Sequence, residues 1–97
     1  MSRLKVNNPT LNIQREAILR KGYATIQDIR KWIPCGYTKA KEIYEREKEK
    51  ANEEGKTTIN GISAKRLLHY VFLSEDEILK YATKEKENVE LSSFSKS

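Results

Sequence analysis

The sequence predicts an all-α fold of about five helices, carrying at most a vestigial β wing. Three observations point there. The chain has 97 residues, enough for one domain and one modest core. Hydrophobic residues are 37% and charged residues 34% of it, so each element can spare only one apolar face. Through the middle of the chain the apolar positions recur three and four residues apart, the period of a helix rather than a strand.

The opening residues 1–8 read as a flexible N-terminus, ahead of a domain over 9–82. Asn8-Pro9 is a helix entry, with a side-chain acceptor at the cap and proline at the first helical position. A first helix is expected over Pro9–Lys21, with Leu11, Ile13, Ala17 and Ile18 inward and Gly22 as its stop. Thr25 with Asp28 resembles a capping box and opens a second helix. Ile26, Ile29, Trp32 and Ile33 form its apolar stripe, and Pro34 ends it.

Cys35-Gly36 completes a tight turn into a third helix, expected from Tyr37 or Thr38 to about Glu54, with Gly55 beyond it. Ala40, Ile43, Tyr44 and Ala51 face inward, while Arg46-Glu47-Lys48-Glu49-Lys50 reads as a solvated surface. Lys56 to Ile62, around Asn60-Gly61, reads as a stubby extended loop. Ser63 caps a fourth helix carrying Leu67, Leu68, Val71 and Phe72. Ser74 with Glu77 is a capping box for a short fifth helix bearing Ile78, Leu79 and Tyr81. Residues 83–97, rich in Lys, Glu and Ser, read as a loose tail.

Charge narrows the function. Residues 1–41 hold nine Lys/Arg against two acids, a net +7, whereas residues 42–97 hold ten against twelve, a net −2. A local field of one sign attracts a polyanion; the plainer reading is a solubilising surface. Other classes are disfavoured. The longest apolar run, Tyr70–Leu73, cannot cross a bilayer, and Arg3 and Lys5 lack a following apolar stretch, so no secretory signal is expected. A lone Cys35 points to the cytoplasm. No phosphate loop, nucleophile motif or catalytic carboxylate pair is present, so the chain reads as no enzyme, with no cofactor, no metal and no small-molecule substrate. His69, amid Leu68 and Tyr70, reads as a packing or surface residue, Cys35 as a small buried hydrophobe, and Glu75-Asp76-Glu77 as acids favoured in a first helical turn.

The second and third helices satisfy a sharper pattern. In a helix-turn-helix, apolar residues occupy the fourth, eighth, tenth, fifteenth and eighteenth places of a unit of about twenty, so that the first helix braces the second. Counting from Ile26, those places hold Ile29, Ile33, Cys35, Ala40 and Ile43. Arg30 stands where a small residue is usual, and Pro34 where glycine is usual. In this register the third helix turns Tyr37, Thr38, Lys39, Lys41, Glu42 and Glu45 toward a major groove. Lysine can reach guanine acceptors or phosphates, threonine a phosphate or thymine methyl, and glutamate a cytosine amine. Arg30 and Lys31 lie near the backbone, and Arg46 and Lys56 complete the candidate set. A plain helical hairpin with a basic surface remains the alternative.

The stretch from Tyr23 through Gly36-Tyr37-Thr38-Lys39-Ala40 to Ile43, then Gly55-Lys56 and the amphipathic Leu67–Leu73, resembles the small excisionase-like helix-turn-helix proteins of Gram-positive phages and integrative elements. The resemblance covers about residues 23–82; the Lys56–Ile62 loop is shorter and less strand-like than a full wing. It implies duplex-DNA binding in excision of a mobile element or in regulation of its genes, with an integrase or further copies of the chain as protein partners. Two other functions stay open: a helical module that grips a host protein, which would show an apolar stripe over residues 37–46, and single-stranded nucleic-acid binding, which would show several exposed aromatics on one surface.

Overall fold

The computed structural model describes residues 9–96, with side chains through Val89. In chain order these form helix α1 (Leu11–Lys21), strand β1 (Tyr23–Ala24), helices α2 (Ile26–Trp32) and α3 (Tyr37–Glu53), strand β2 (Ile62–Ser63), a 3₁₀ turn (Ala64–Leu67), and helices α4 (Leu68–Val71) and α5 (Glu75–Lys96). The fold is a small all-α domain with a two-stranded remnant of sheet.

Local rules explain most boundaries. Thr25 Oγ1 accepts from the Asp28 amide and Asp28 Oδ2 accepts from the Thr25 amide, which closes the expected capping box at the start of α2. Before Pro34 the backbone at Ile33 turns extended, and α2 stops at Trp32. Ser74 and Glu77 close the second box in the same reciprocal way. Gly22 and Gly55 take the left-handed conformation (φ 92° and 81°) that ends α1 and follows α3.

Five expectations are corrected. Asn8 lies outside the described residues, and α1 begins at Leu11, two residues after Pro9. Ala17 is exposed, whereas Arg15 and Glu16 are buried. The helix expected after Ser63 divides into a 3₁₀ turn and a single α-turn, Ser63 gives no side-chain cap, and Phe72 points outward with left-handed backbone (φ 56°). Residues expected to be a tail continue α5 through Lys96, in keeping with the helix propensity of Lys and Glu. Glu47, read as part of a solvated run, is 2% exposed.

The core gathers Ile18, Ala24, Ile29, Trp32, Ala40, Ile43, Ile62, Ala64, Leu67 and Ile78. The Trp32 indole N–H donates to the Leu67 carbonyl at 2.9 Å, fastening α2 to the 3₁₀ turn. β1 and β2 pair antiparallel, Tyr23 with Ser63 and Ala24 with Ile62, so the loop after α3 is tied to the chain just before α2. Gly61 makes that pairing possible, because a Cβ there would lie 2.4 Å from the Ala24 carbonyl oxygen. Gly61→Ala is expected to lower unfolding free energy by about 1–3 kcal/mol, the range for forcing extra volume into a packed site; denaturant unfolding monitored by circular dichroism checks this.

α5 lies along α1 and carries its own polar fastening. Glu16 accepts from Lys86 Nζ at 2.9 Å and from Arg20 Nη2 at 2.7 Å. The hydrogen bonds from Lys86 and then Arg20 outweigh burial and hold its carboxyl below the usual 4.5. Asp28 is also lowered, from 3.8: burial pushes it up, but hydrogen bonds from Lys21 and Thr25 and the Lys21 charge prevail. A depressed folded value contributes stability that is fully present above the unfolded value and is lost as pH falls through the folded one. The melting temperature should therefore drop between about pH 5 and pH 3, and Glu16→Gln should flatten that drop while lowering the neutral-pH value.

Candidate nucleic-acid interface

The helix-turn-helix register places α2 against the inner face of α3. Ile29 and Ala40 are fully buried and Ile43 nearly so, while Ile33 and Cys35 are half-buried against the same core. Arg30, at the place where a small residue is usual, avoids the helix contact by pointing outward, where its guanidinium donates to Gln27 Oε1 at 3.3 Å. Arg30 and Lys31 line one shallow depression with Gln27, Pro34 and Cys35. The bracing helix thus brings two cations to the turn that leads into α3.

The buried stripe of α3 is Ala40, Ile43, Glu47 and Ala51. With 3.6 residues per turn, the ridge opposite that stripe is Thr38, Glu42, Glu45 and Glu49. Lys41 and Lys48 flank it on one side, Lys39 and Arg46 on the other, all exposed. Lys39 is 3.9 Å from Glu42, an exposed pair that adds little stability. Lys41 and Lys31 have no acidic partner within 4.0 Å among the described residues. Tyr37 is half-exposed at the first position of the helix. Gly36 gives α3 no side-chain cap, and its first turn holds no acid, so the backbone amides there keep their partial positive charge toward solvent.

Lys56 stands apart from this face. It follows the helix, its amide donates to the Ala51 carbonyl at 2.9 Å, and its ammonium is 3.3 Å from Glu54. Glu54 also pairs with Arg66 at 2.5 Å, and the hydrogen bonds from Arg66 and then Lys56 hold its carboxyl below 4.5. The structure therefore exposes Tyr37, Thr38, Lys39, Lys41, Glu42 and Arg46 along α3, places Arg30 and Lys31 at the turn before it, and leaves Lys56 beyond the far end of α3.

Glu47 fixes how α3 is rolled on its axis. It accepts from the Tyr70 hydroxyl at 2.6 Å and lies 3.5 Å from Arg66 Nη1 and 3.9 Å from Lys50. Burial, reinforced by the hydrogen bond to Glu47, raises the Tyr70 pKa and keeps the hydroxyl a donor. No sequence signal distinguished Glu47 from its charged neighbours except its place in line with Ala40, Ile43 and Ala51. His69 is mostly exposed and stacks on Tyr70 with ring centroids 4.1 Å apart. Among the described residues no cluster of three His, Cys, Asp or Glu is arranged to hold a metal, and no helix is long and apolar enough to cross a membrane. No family model, curated protein or solved structure matches this chain.

Proposed function

We propose that this chain is a cytoplasmic, non-enzymatic duplex-DNA-binding protein that reads the major groove with α3, in the manner of the excisionase-like or regulatory helix-turn-helix proteins it resembles. One observation carries the reading: the exposed outer face of α3 has an acidic and hydroxylated ridge between two rows of cations, with Arg30 and Lys31 beside its N-terminus. In a major groove, flanking cations meet phosphates of the two strands, and the central ridge meets base edges. Thr38 suits a phosphate or a thymine methyl, and Glu42 and Glu45 can accept from cytosine amines. The open first turn of α3 suits a phosphate.

The rival reading, a helix that grips a host protein, needs an apolar stripe over residues 37–46. Apart from Tyr37, the exposed side chains there are charged or hydroxylated. An integrase or a second copy of the chain remains the protein partner this reading suggests. Gel shifts with duplexes from the flanks of the encoding gene test it: salt-sensitive retardation of a subset of them is expected, and no retardation of any at low salt would refute it.

A further inference from the structure

A chain of buried and half-buried hydrogen bonds runs from α5 to the turn that precedes α3. Glu85 Oε1 accepts from the backbone amides of Asn12 at 2.7 Å and Ile13 at 3.0 Å, and Glu85 Oε2 accepts from Asn12 Nδ2 at 2.7 Å. A carboxylate from α5 thereby caps the first turn of α1, whose own first turn holds no acid. Asn12 Oδ1 in turn accepts from Arg15 Nη1 at 3.0 Å. Arg15, 8% exposed, donates through Nε to the Trp32 carbonyl at 2.9 Å, and its guanidinium carbon stands 5.9 Å from the centroid of the same residue's ring.

The Trp32 carbonyl is at a decisive place. It is the last of α2, four residues before the cap of α3, and its helix cannot satisfy it because α2 stops there and Gly36, whose amide would reach it in a continued helix, has extended backbone. Arg15 supplies the missing donor and adds positive charge at a helix C-terminus. Fixing that carbonyl fixes the peptide plane from which the chain leaves α2, and so the direction in which α3 begins. Asn12 donates to Glu85, and Arg15 donates both to Asn12 and to the Trp32 carbonyl, so the guanidinium is the donor that joins the two arms and its orientation is set from the Glu85 side.

We propose that Glu85 and Arg15 are positioning residues for the DNA-reading helix, Glu85 acting through Asn12 and Arg15 on the Trp32 carbonyl. The proposal rests on the reading of α3 given above. It makes α5, which packs along α1, a determinant of how well that face fits its site. Lys86, one residue on, binds Glu16 and stands outside the relay; it is the natural control.

The test compares full-length Glu85→Ala, Glu85→Gln and Lys86→Ala with wild type, at a temperature where all are folded. Amide hydrogen exchange over Cys35–Lys39 is measured in the free proteins. Affinity for the duplex that wild type prefers, and for random duplex, is measured by fluorescence anisotropy. Glu85→Ala should speed exchange in that segment by about tenfold and weaken the preferred duplex about tenfold relative to random DNA, with the salt slope unchanged. Glu85→Gln should recover part of both, because its amide oxygen still accepts from Asn12 and Ile13. Lys86→Ala should alter neither the segment nor the ratio. Glu85→Ala and Lys86→Ala behaving alike in a protein that binds duplex would overturn the relay alone. A wild type that binds no duplex would overturn the reading of α3, and the positioning role with it.

Discussion

Replacing Trp32 with alanine is expected to destabilise the domain by about 3–5 kcal/mol, the range for removing a large aromatic from a packed core. Three losses combine. The indole is fully buried among residues drawn from α1, α2, α3 and the 3₁₀ turn. Its N–H holds the Leu67 carbonyl, which is buried and would be left without that donor. Its ring is also the surface against which Arg15 lies. Trp32→Phe should lose less, because the ring remains and only the hydrogen bond and part of the volume go. Urea unfolding of the two variants checks the order; an alanine variant as stable as wild type would mean that Trp32 is no hub of this core.

The second large effect concerns binding. Each phosphate neutralised by a lysine or arginine releases counterions and contributes about −0.9 to the slope of log affinity against log salt. Arg30, Lys31, Lys39, Lys41 and Arg46 offer roughly four to six such contacts with the open first turn of α3, so affinity should fall by a factor on the order of 10² to 10³ from about 50 to about 200 mM salt. Lys39 and Lys41 stand on opposite flanks of the α3 ridge, so in the proposed docking the double variant Lys39→Ala with Lys41→Ala would remove one cation facing each strand. It should flatten the slope by about one to two units. Both side chains are exposed and off the core, so stability should change by about 0.5 kcal/mol or less. Thr38 is a clean probe for the same reason, since Gly36 rather than Thr38 occupies the cap of α3. An unchanged salt slope in the double lysine variant would remove these two residues from the interface.

The sequence was most legible where a local rule decides the structure. Thr25 with Asp28, Pro34, Gly55, and Ser74 with Glu77 each act within a few residues, and each marks an element end in the fold. The helix-turn-helix spacing likewise places Ile29, Ala40 and Ile43 in the core. What sequence reading missed depends on partners far along the chain. Arg15 is buried because Trp32 offers a carbonyl, Glu16 because Lys86 reaches it, and Glu47 because Tyr70 does. Charged residues are buried only when paired, and no periodicity announces those pairs. The β1–β2 contact involves two residues on each side, too few for an alternating pattern. The helical course of residues 83–96 had a signal in its Lys and Glu content, which reads equally as solvated tail and as exposed helix.

The most direct test of the account is backbone chemical-shift mapping of the isotope-labelled protein as a preferred duplex is added. Shifts concentrated at Arg30, Lys31 and Tyr37 through Arg46, with the exposed α5 residues Tyr81 and Val89 unmoved, are the expected result. Shifts concentrated on α5 or around Phe72, with residues 37–46 silent, would contradict the assignment of α3 as the reading helix.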